Sequence, residues 1–280
     1  MNLDGFALPV KKLQGSDPVE TLDLSCKNHG IASLVVIASL ISVNGALTEL
    51  SIDGNHVGDK GVGAICEAIQ SNKETKLASL DMSGNRIGQV GAKSVASMVA
   101  VTGRLTSLNL SDNQLCGLDR HGRGTYTAEG IAAIADTLRV NGGLTALDLS
   151  YNGLRNEGVS AVCEAIQSNK ETKLASLNMT MNRIGRVGAK SVAAMVAVTG
   201  SLTVTNLLGN QLDAASAKML ADVAEQKGIS LCGIRRDQTT AKFSGHPLSY
   251  QNLKPPDAIL LASDLSQAVV KGALTQVLAF

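Results

Sequence analysis

The stretch Leu77–Ser94, LASLDMSGNRIGQVGAKS, returns at Leu174–Ser191 as LASLNMTMNRIGRVGAKS. The duplication is wider than that. Gly61–Leu115 aligns with Gly158–Leu212 at a constant offset of 97, with 43 identities in 55 positions. Inside it lies a shorter unit, Leu-x-x-Leu-x-Leu-x-x-Asn-x-Leu, in which Met, Ile or Val stands in for Leu. Its starts at 47, 77, 105, 144, 174 and 202 lie 28 to 30 residues apart, apart from one gap of 39. A fixed period of this length restricts the chain to stacked copies of one supersecondary unit, since no single copy can bury its apolar face alone.

Each unit reads the same way. Leu-x-Leu predicts a short strand whose two leucines point inward while their neighbours point out. The Asn follows where the chain turns. Its amide both donates and accepts, so it can serve turn backbone groups that neither helix nor sheet satisfies. Stacked, Asn55, Asn85, Asn113, Asn152, Asn182 and Asn210 form a structural column. A helix comes next. In Gly61–Ser71, Val62, Ile65, Cys66 and Ile69 fall at helical spacing, as do Val95, Met98 and Val99 one repeat later. Small residues such as Ala64, Ala92 and Ala161 let the helices sit close to the sheet.

The unit resembles the leucine-rich repeat, in the long form of the ribonuclease-inhibitor type. The resemblance is carried by Leu47-Leu50-Ile52-Asn55, Leu77-Leu80-Met82-Asn85, Leu105-Leu108-Leu110-Asn113, Leu144-Leu147-Leu149-Asn152 and Leu174-Leu177-Met179-Asn182. Two units depart from it. Val19-Leu22-Leu24 has Lys27 in the Asn place, and Leu202-Leu207-Asn210 has Thr205 in a Leu place. The resemblance implies an α/β solenoid, a right-handed horseshoe with parallel strands on its concave side and helices on its convex side. Residues 1–280 are expected to be a single such domain, with regular repeats over 19–228 and degenerate repeats over 229–280. In that tail, Ala241–Leu248 reads as a degraded strand and turn with His246 in the Asn place, and Pro255-Pro256 opens a helix to about Val269. Gly272–Phe280, GALTQVLAF, matches Gly45–Asp53, GALTELSID, so the C-terminus is expected to be an unfinished repeat.

Composition bounds the partner. Net charge is +1, which favours neither nucleic acid nor an acidic membrane surface. The most apolar run, Ile31–Val43, is too short to span a bilayer and falls where the first repeat needs a helix. The start of the chain lacks the charged and apolar regions of a signal peptide. Five cysteines, Cys26, Cys66, Cys116, Cys163 and Cys232, are an odd number with no metal spacing. Together these predict a reduced, intracellular protein of the cytoplasm.

Little in the chain predicts catalysis. Gly88 to Ser94, GQVGAKS, is shaped like a phosphate-binding loop, but that motif needs Gly immediately before Lys and Ala92 stands there, as Ala189 does in the second copy. His29, His56, His121 and His246 are scattered, with no carboxylate or Cys at ligand spacing. No metal, cofactor or catalytic residue is expected.

Binding surfaces are easier to place. The resemblance makes the concave face the default surface. Its central column runs Asp23, Ser51, Asp81, Asn109, Asp148, Asn178 and Asn206, with Glu49, Asp53, Asp112 and Tyr151 beside it. The face is small, polar and mildly acidic, and Tyr151 is nearly its sole aromatic anchor. The long gap inserts CGLDRHGRGTYT after Leu115, bringing Arg120, His121, Arg123 and Tyr126; such an insertion is either functional or disordered. Thr127 is the expected cap of the following helix. The sequence therefore points to a non-catalytic scaffold for a protein partner, with neither nucleic acid nor membrane as ligand. Regulation of a small GTPase, in the manner of the Ran-GTPase activator, and a fragment of a larger receptor-like repeat protein are the alternatives.

Overall fold

The computed structural model describes residues 2–234, 240–242, 254–267 and 276–278. Strands β1 (Asn2–Leu3) and β2 (Phe6–Ala7) pair antiparallel and lead through α1 (Val10–Leu13) into the repeats. Strand and helix then alternate: β3 (Thr21–Asp23), α2 (Ile31–Ile41), β4 (Glu49–Ser51), α3 (Gly58–Ser71), β5 (Ser79–Asp81), α4 (Gln89–Val101), β6 (Ser107–Asn109) and α5 (Glu129–Leu138). The second half continues with β7 (Ala146–Asp148), α6 (Arg155–Ser168), β8 (Ser176–Asn178), α7 (Arg186–Val198), β9 (Val204–Asn206) and α8 (Ala214–Lys227).

Strands β3 to β9 form one parallel sheet in sequence order. Leu22, Leu50, Leu80, Leu108, Leu147, Leu177 and Thr205 share one register row, so each repeat places the same position opposite its neighbour. These residues point inward, as do Leu24, Ile52, Met82, Leu110, Leu149, Met179 and Leu207, and all except Thr205 are apolar and buried. Each helix contributes an inner stripe, Val95, Met98 and Val99 in α4 for example. Neighbouring helices lie side by side, one per repeat. Close approach is enforced at Gly130, where a Cβ would sit 2.3 Å from the Leu115 carbonyl oxygen and 3.1 Å from the Ala92 Cβ.

The six asparagines of the repeat are all buried. Asn182 is representative: its Oδ1 accepts from the backbone N–H of Asn152 at 3.0 Å and of Leu154 at 3.2 Å. Its Nδ2 donates to the carbonyls of Leu149 at 2.8 Å and Thr180 at 3.3 Å. Each Asn thus ties its own turn to the preceding repeat. The residue just before each column Asn lies in the left-handed region, Gly54, Gly84, Asp112, Tyr151, Met181 and Gly209 all having positive φ, as does Cys26 before Lys27.

A second polar column runs along the helix ends. Asn44, Asn72 and Asn169 are buried near helix ends. Asn72 donates to the Ile41 carbonyl at 3.0 Å and the Asn44 carbonyl at 2.7 Å, and Asn169 to those of Leu138 and Asn141 at 2.8 Å each. They take up the C-terminal carbonyls that a helix leaves without internal partners.

Helix α3 begins at Gly58, a turn earlier than the apolar spacing indicated. Helix α5 is capped at Ala128 and not at Thr127, although the Thr127 hydroxyl accepts from the Glu129 N–H at 3.2 Å. Pro255-Pro256 opens α9 (Pro255–Ser266), which stops short of Val269, with Gln267 extended as its C-cap. Asp257 and Asp264 fasten it: Asp257 accepts from the Gly209 N–H at 2.9 Å, and Asp264 from the Ser230 hydroxyl at 2.6 Å and the Leu231 N–H at 2.8 Å. Burial pushes the Asp264 carboxyl above its ordinary range. The tail strands β10 (Thr240–Lys242) and β11 (Gln276–Leu278) pair parallel to each other. His246 lies outside the described residues.

Thr205 breaks the leucine row and is fully buried, and its hydroxyl has no hydrogen-bond partner among the described residues. An unsatisfied buried hydroxyl is destabilising, and valine has nearly the same shape. Thr205→Val is expected to raise the unfolding free energy by about 1 kcal/mol, seen as a higher urea midpoint at unchanged slope. A lower midpoint would mean that the hydroxyl is bonded in solution.

Candidate functional site

Strand alternation aims two side chains per repeat out of the sheet. The central row is Asp23, Ser51, Asp81, Asn109, Asp148, Asn178 and Asn206, in the register the repeat implies. Its carboxylates are engaged. Asp81 Oδ1 accepts from the Ser83 N–H at 2.9 Å and the Ser83 hydroxyl at 2.5 Å, and its Oδ2 accepts from Asn109 Nδ2 at 2.9 Å. Asp148 does the same with Ser150, at 2.8 and 2.6 Å, and with Asn178 Nδ2 at 2.8 Å. Asp53 accepts from the Ser83 hydroxyl at 2.9 Å. Asp23 accepts from the N–H and hydroxyl of Ser25, and the hydroxyl bond most lowers its pKa. Glu49 accepts from the Thr21 hydroxyl at 3.3 Å. The bonds from Ser25, Ser83 and Ser150 to the Asp two residues earlier are side-chain turns, and the others tie neighbouring repeats, so the row is in part structural.

Among the described residues, two concavities lie over this face and a third lies beside it. One of about 570 Å³ spans β6 to β9, floored by Asn109, Asp148 and Asn178 and flanked by Ser107, Ala146 and Ser176. Asn206 closes its far end; it is buried, and a Cβ at Gly233 would meet its Nδ2 at 2.8 Å. A second, of about 330 Å³, is lined by Asp112, Asp148, Tyr151, Asn178 and Arg120. Burial, and then the Asp112 carboxylate, pushes the Tyr151 hydroxyl up to about 12.

The third concavity, of about 540 Å³, is made by the insertion. The loop folds on itself instead of trailing. Leu118 and Gly124 form an antiparallel bridge. Asp119 accepts from the backbone N–H groups of His121 and Arg123, both at 2.9 Å, and pairs with Arg123 Nε at 2.8 Å. The Arg123 backbone bond, first among these, holds its carboxyl below the usual range. Arg120, His121 and Arg123 line the notch with His56, Arg86 and Asp112. His56 reads in the sequence only as a scattered histidine and Arg86 carries no motif; the available signal is that each directly follows a column Asn. Tyr126 lies apart from these concavities. Its hydroxyl donates to the Leu154 carbonyl at 2.9 Å, and the Arg155 guanidinium sits 4.6 Å over its ring. It anchors the base of the loop.

The helix start that resembled a phosphate loop is occupied by protein. The Gly88 N–H donates to Asp59 Oδ1 at 2.6 Å, and Lys93 pairs with Glu129 at 2.9 Å. Asn156 fills the same place in the second copy, accepting from Gly185 at 2.8 Å. Among the described residues no group of three or more His, Cys, Asp or Glu side chains could hold a metal ion. No helix among them is long and apolar enough to cross a membrane.

The family profile described as Leucine Rich repeat matches residues 46–66, 73–96, 144–163 and 170–193, and a related Leucine Rich Repeat profile matches 104–122. With the seven-stranded parallel sheet and its alternating helices, this makes the chain a leucine-rich-repeat protein with repeats of the ribonuclease-inhibitor type. Among curated proteins it is similar to the ribonuclease inhibitor of Mus musculus, 28% identical over 66% of this chain and 44% of that one. It is also similar to NACHT, LRR and PYD domains-containing protein 13 of Homo sapiens, 25% identical over 73% of this chain and 21% of that one. The chain thus spans less than half the length of these relatives. A solved structure, the leucine-rich repeat-containing protein LegL7 from Legionella pneumophila, aligns over 99% of this chain and 88% of that one at 17% identity, with a TM-score of 0.46. Leucine-rich repeats are a family of protein-binding scaffolds, typically without catalytic activity.

Proposed function

We propose that the chain is a non-catalytic, intracellular scaffold that holds a protein partner on the outward face of β6 to β8. The observation that carries this is the open depression over those strands, walled by Ser107, Ala146 and Ser176. Small side chains leave backbone-scale relief into which a partner's larger groups fit. The Asp and Asn floor offers the acceptors and donors left over from its internal bonds. The cysteines support the location: all five are free, and Cys66, Cys116, Cys163 and Cys232 are buried. Burial pushes the Cys66 and Cys116 thiols up to about 12, which suits packing and not reactivity.

Substituting Asp81 or Asp148 would confuse binding with folding, because both hold turns. Ser176→Arg fills the depression without touching those bonds. The variant is expected to lose proteins that the unaltered chain captures from native lysate, with an unchanged melting temperature. Glu164→Arg, on the exposed side of α6, is the control and is expected to retain them. Equal capture by the chain and its Ser176→Arg variant would remove the sheet-face reading.

A further inference from the structure

We propose that the notch beside the inserted loop docks an acidic segment of a partner protein, with Arg86 and Arg120 holding a Glu or Asp carboxylate. This rests on the protein-binding reading but uses a different surface from the depression over β6 to β8.

Charge is the first observation. Arg86, Arg120 and Arg123 line the notch against two carboxylates, Asp112 and Asp119. Asp119 is consumed by Arg123 and by two backbone N–H groups. Asp112 lies 3.9 Å from Arg120, longer than a charge-assisted hydrogen bond. Arg86 has no ion pair or side-chain hydrogen bond among the described residues. Two guanidiniums therefore share one concavity with donors to spare, and the paired donors of Arg suit a carboxylate. Arg183 stands close by, its guanidinium against Gly122.

Backbone placement is the second. His56 and Arg86 have φ of 58° and 57°, the left-handed region. Gly153 occupies the equivalent place two repeats beyond Arg86, with φ of 64°. Glycine takes up this conformation at lowest cost, and side chains there carry a penalty. His56 and Arg86 stand on the ridge in spite of that cost, as does Arg183 (φ 60°) at the same place beside Gly122 of the loop.

The surroundings argue for a peptide and against a nucleic acid. Asp53, Asp81 and Asp148 lie on the adjoining sheet face, where a continuous polyanion would be repelled. A nucleic-acid surface needs an extended basic stripe, and the whole chain carries only +1. A single acidic side chain fits the notch. The segment after it runs into the adjoining concavity that shares Asp112 and Arg120, where Tyr151 supplies an aromatic wall.

The test is fluorescence anisotropy with the full chain and three probes: fluorescein-labelled Gly-Ser-Glu-Glu-Ser-Gly, its Gln-Gln counterpart, and a short oligothymidylate. The Glu peptide is expected to bind about tenfold or more tightly than the Gln peptide, and raised salt should erase the difference. The double variant Arg86→Gly, Arg120→Gln is expected to abolish that preference. Its melting temperature should hold, because glycine suits the backbone at residue 86. Ser176→Arg should leave the Glu-peptide titration unaltered. Equal binding of the two peptides overturns the proposal, as does a preference that survives the double variant or is lost in Ser176→Arg. Tighter binding of the oligothymidylate, lost in the double variant, overturns it in favour of a polyphosphate ligand. Failure of the peptide arms leaves the lysate experiment standing, and failure of that experiment leaves the peptide arms standing.

Discussion

Asn113→Ala is expected to lower the unfolding free energy by at least about 2 kcal/mol, since two or more buried backbone groups are stranded at about 1 to 3 kcal/mol each. Asn113 is 1% exposed and makes five hydrogen bonds to backbone. Its Oδ1 accepts from the N–H groups of Asn85 at 3.0 Å and Ile87 at 2.9 Å. Its Nδ2 donates to the carbonyls of Met82 and Leu110 at 3.0 Å and of Ser111 at 3.1 Å. Alanine restores none of these, and the site is too closed for bulk water to replace them. Asn113→Asp makes the cause explicit. It keeps both accepted bonds but turns a carboxylate oxygen toward three carbonyls, so it should destabilise at least as much as alanine. Equilibrium urea unfolding reads both variants. A loss under about 1 kcal/mol for either would show that the column is not what joins the repeats.

Much of this architecture is legible in the residues because one period sets both pattern and register. Once Leu80, Met82 and Asn85 are matched to Leu108, Leu110 and Asn113, the pairing of β5 with β6 follows without further information. The second polar column was equally periodic, at Asn44, Asn72, Asn141 and Asn169. Its period is masked because Thr102 and Thr199 replace Asn in every third repeat; both are buried and bond back to Met98 and Met195. The candidate surface was less legible. Asp81 and Asp148 look like free acceptors in a strand pattern. Their engagement depends on Ser two residues on, and Asp-x-Ser at 23–25, 81–83 and 148–150 was the readable sign. The insertion could not be placed at all. Its path depends on a single residue, Asp119, gathering the N–H groups of His121 and Arg123, and on Tyr126 reaching Leu154. Such contacts have no period. The same holds for Arg86, whose role in the notch exists only once Arg120 has been folded back beside it.

Leu80→Ala is expected to cost about 2 to 5 kcal/mol, the range for a large-to-small change at a closed core site. Leu80 is 1% exposed and stands in register between Leu50 and Leu108. In a stacked array each repeat is held only by its neighbours. A hole at β5 therefore weakens the β4–β5 and β5–β6 junctions together. Leu22 occupies the same repeat position in β3, which has one neighbour in this sheet, and it is already 7% exposed. Leu22→Ala should accordingly cost about half as much. The central change should also lower the urea slope, because the two sides of the array then unfold less as one unit. Equal losses for the two variants, with an unchanged slope, would mean that the repeats do not depend on their neighbours in this way.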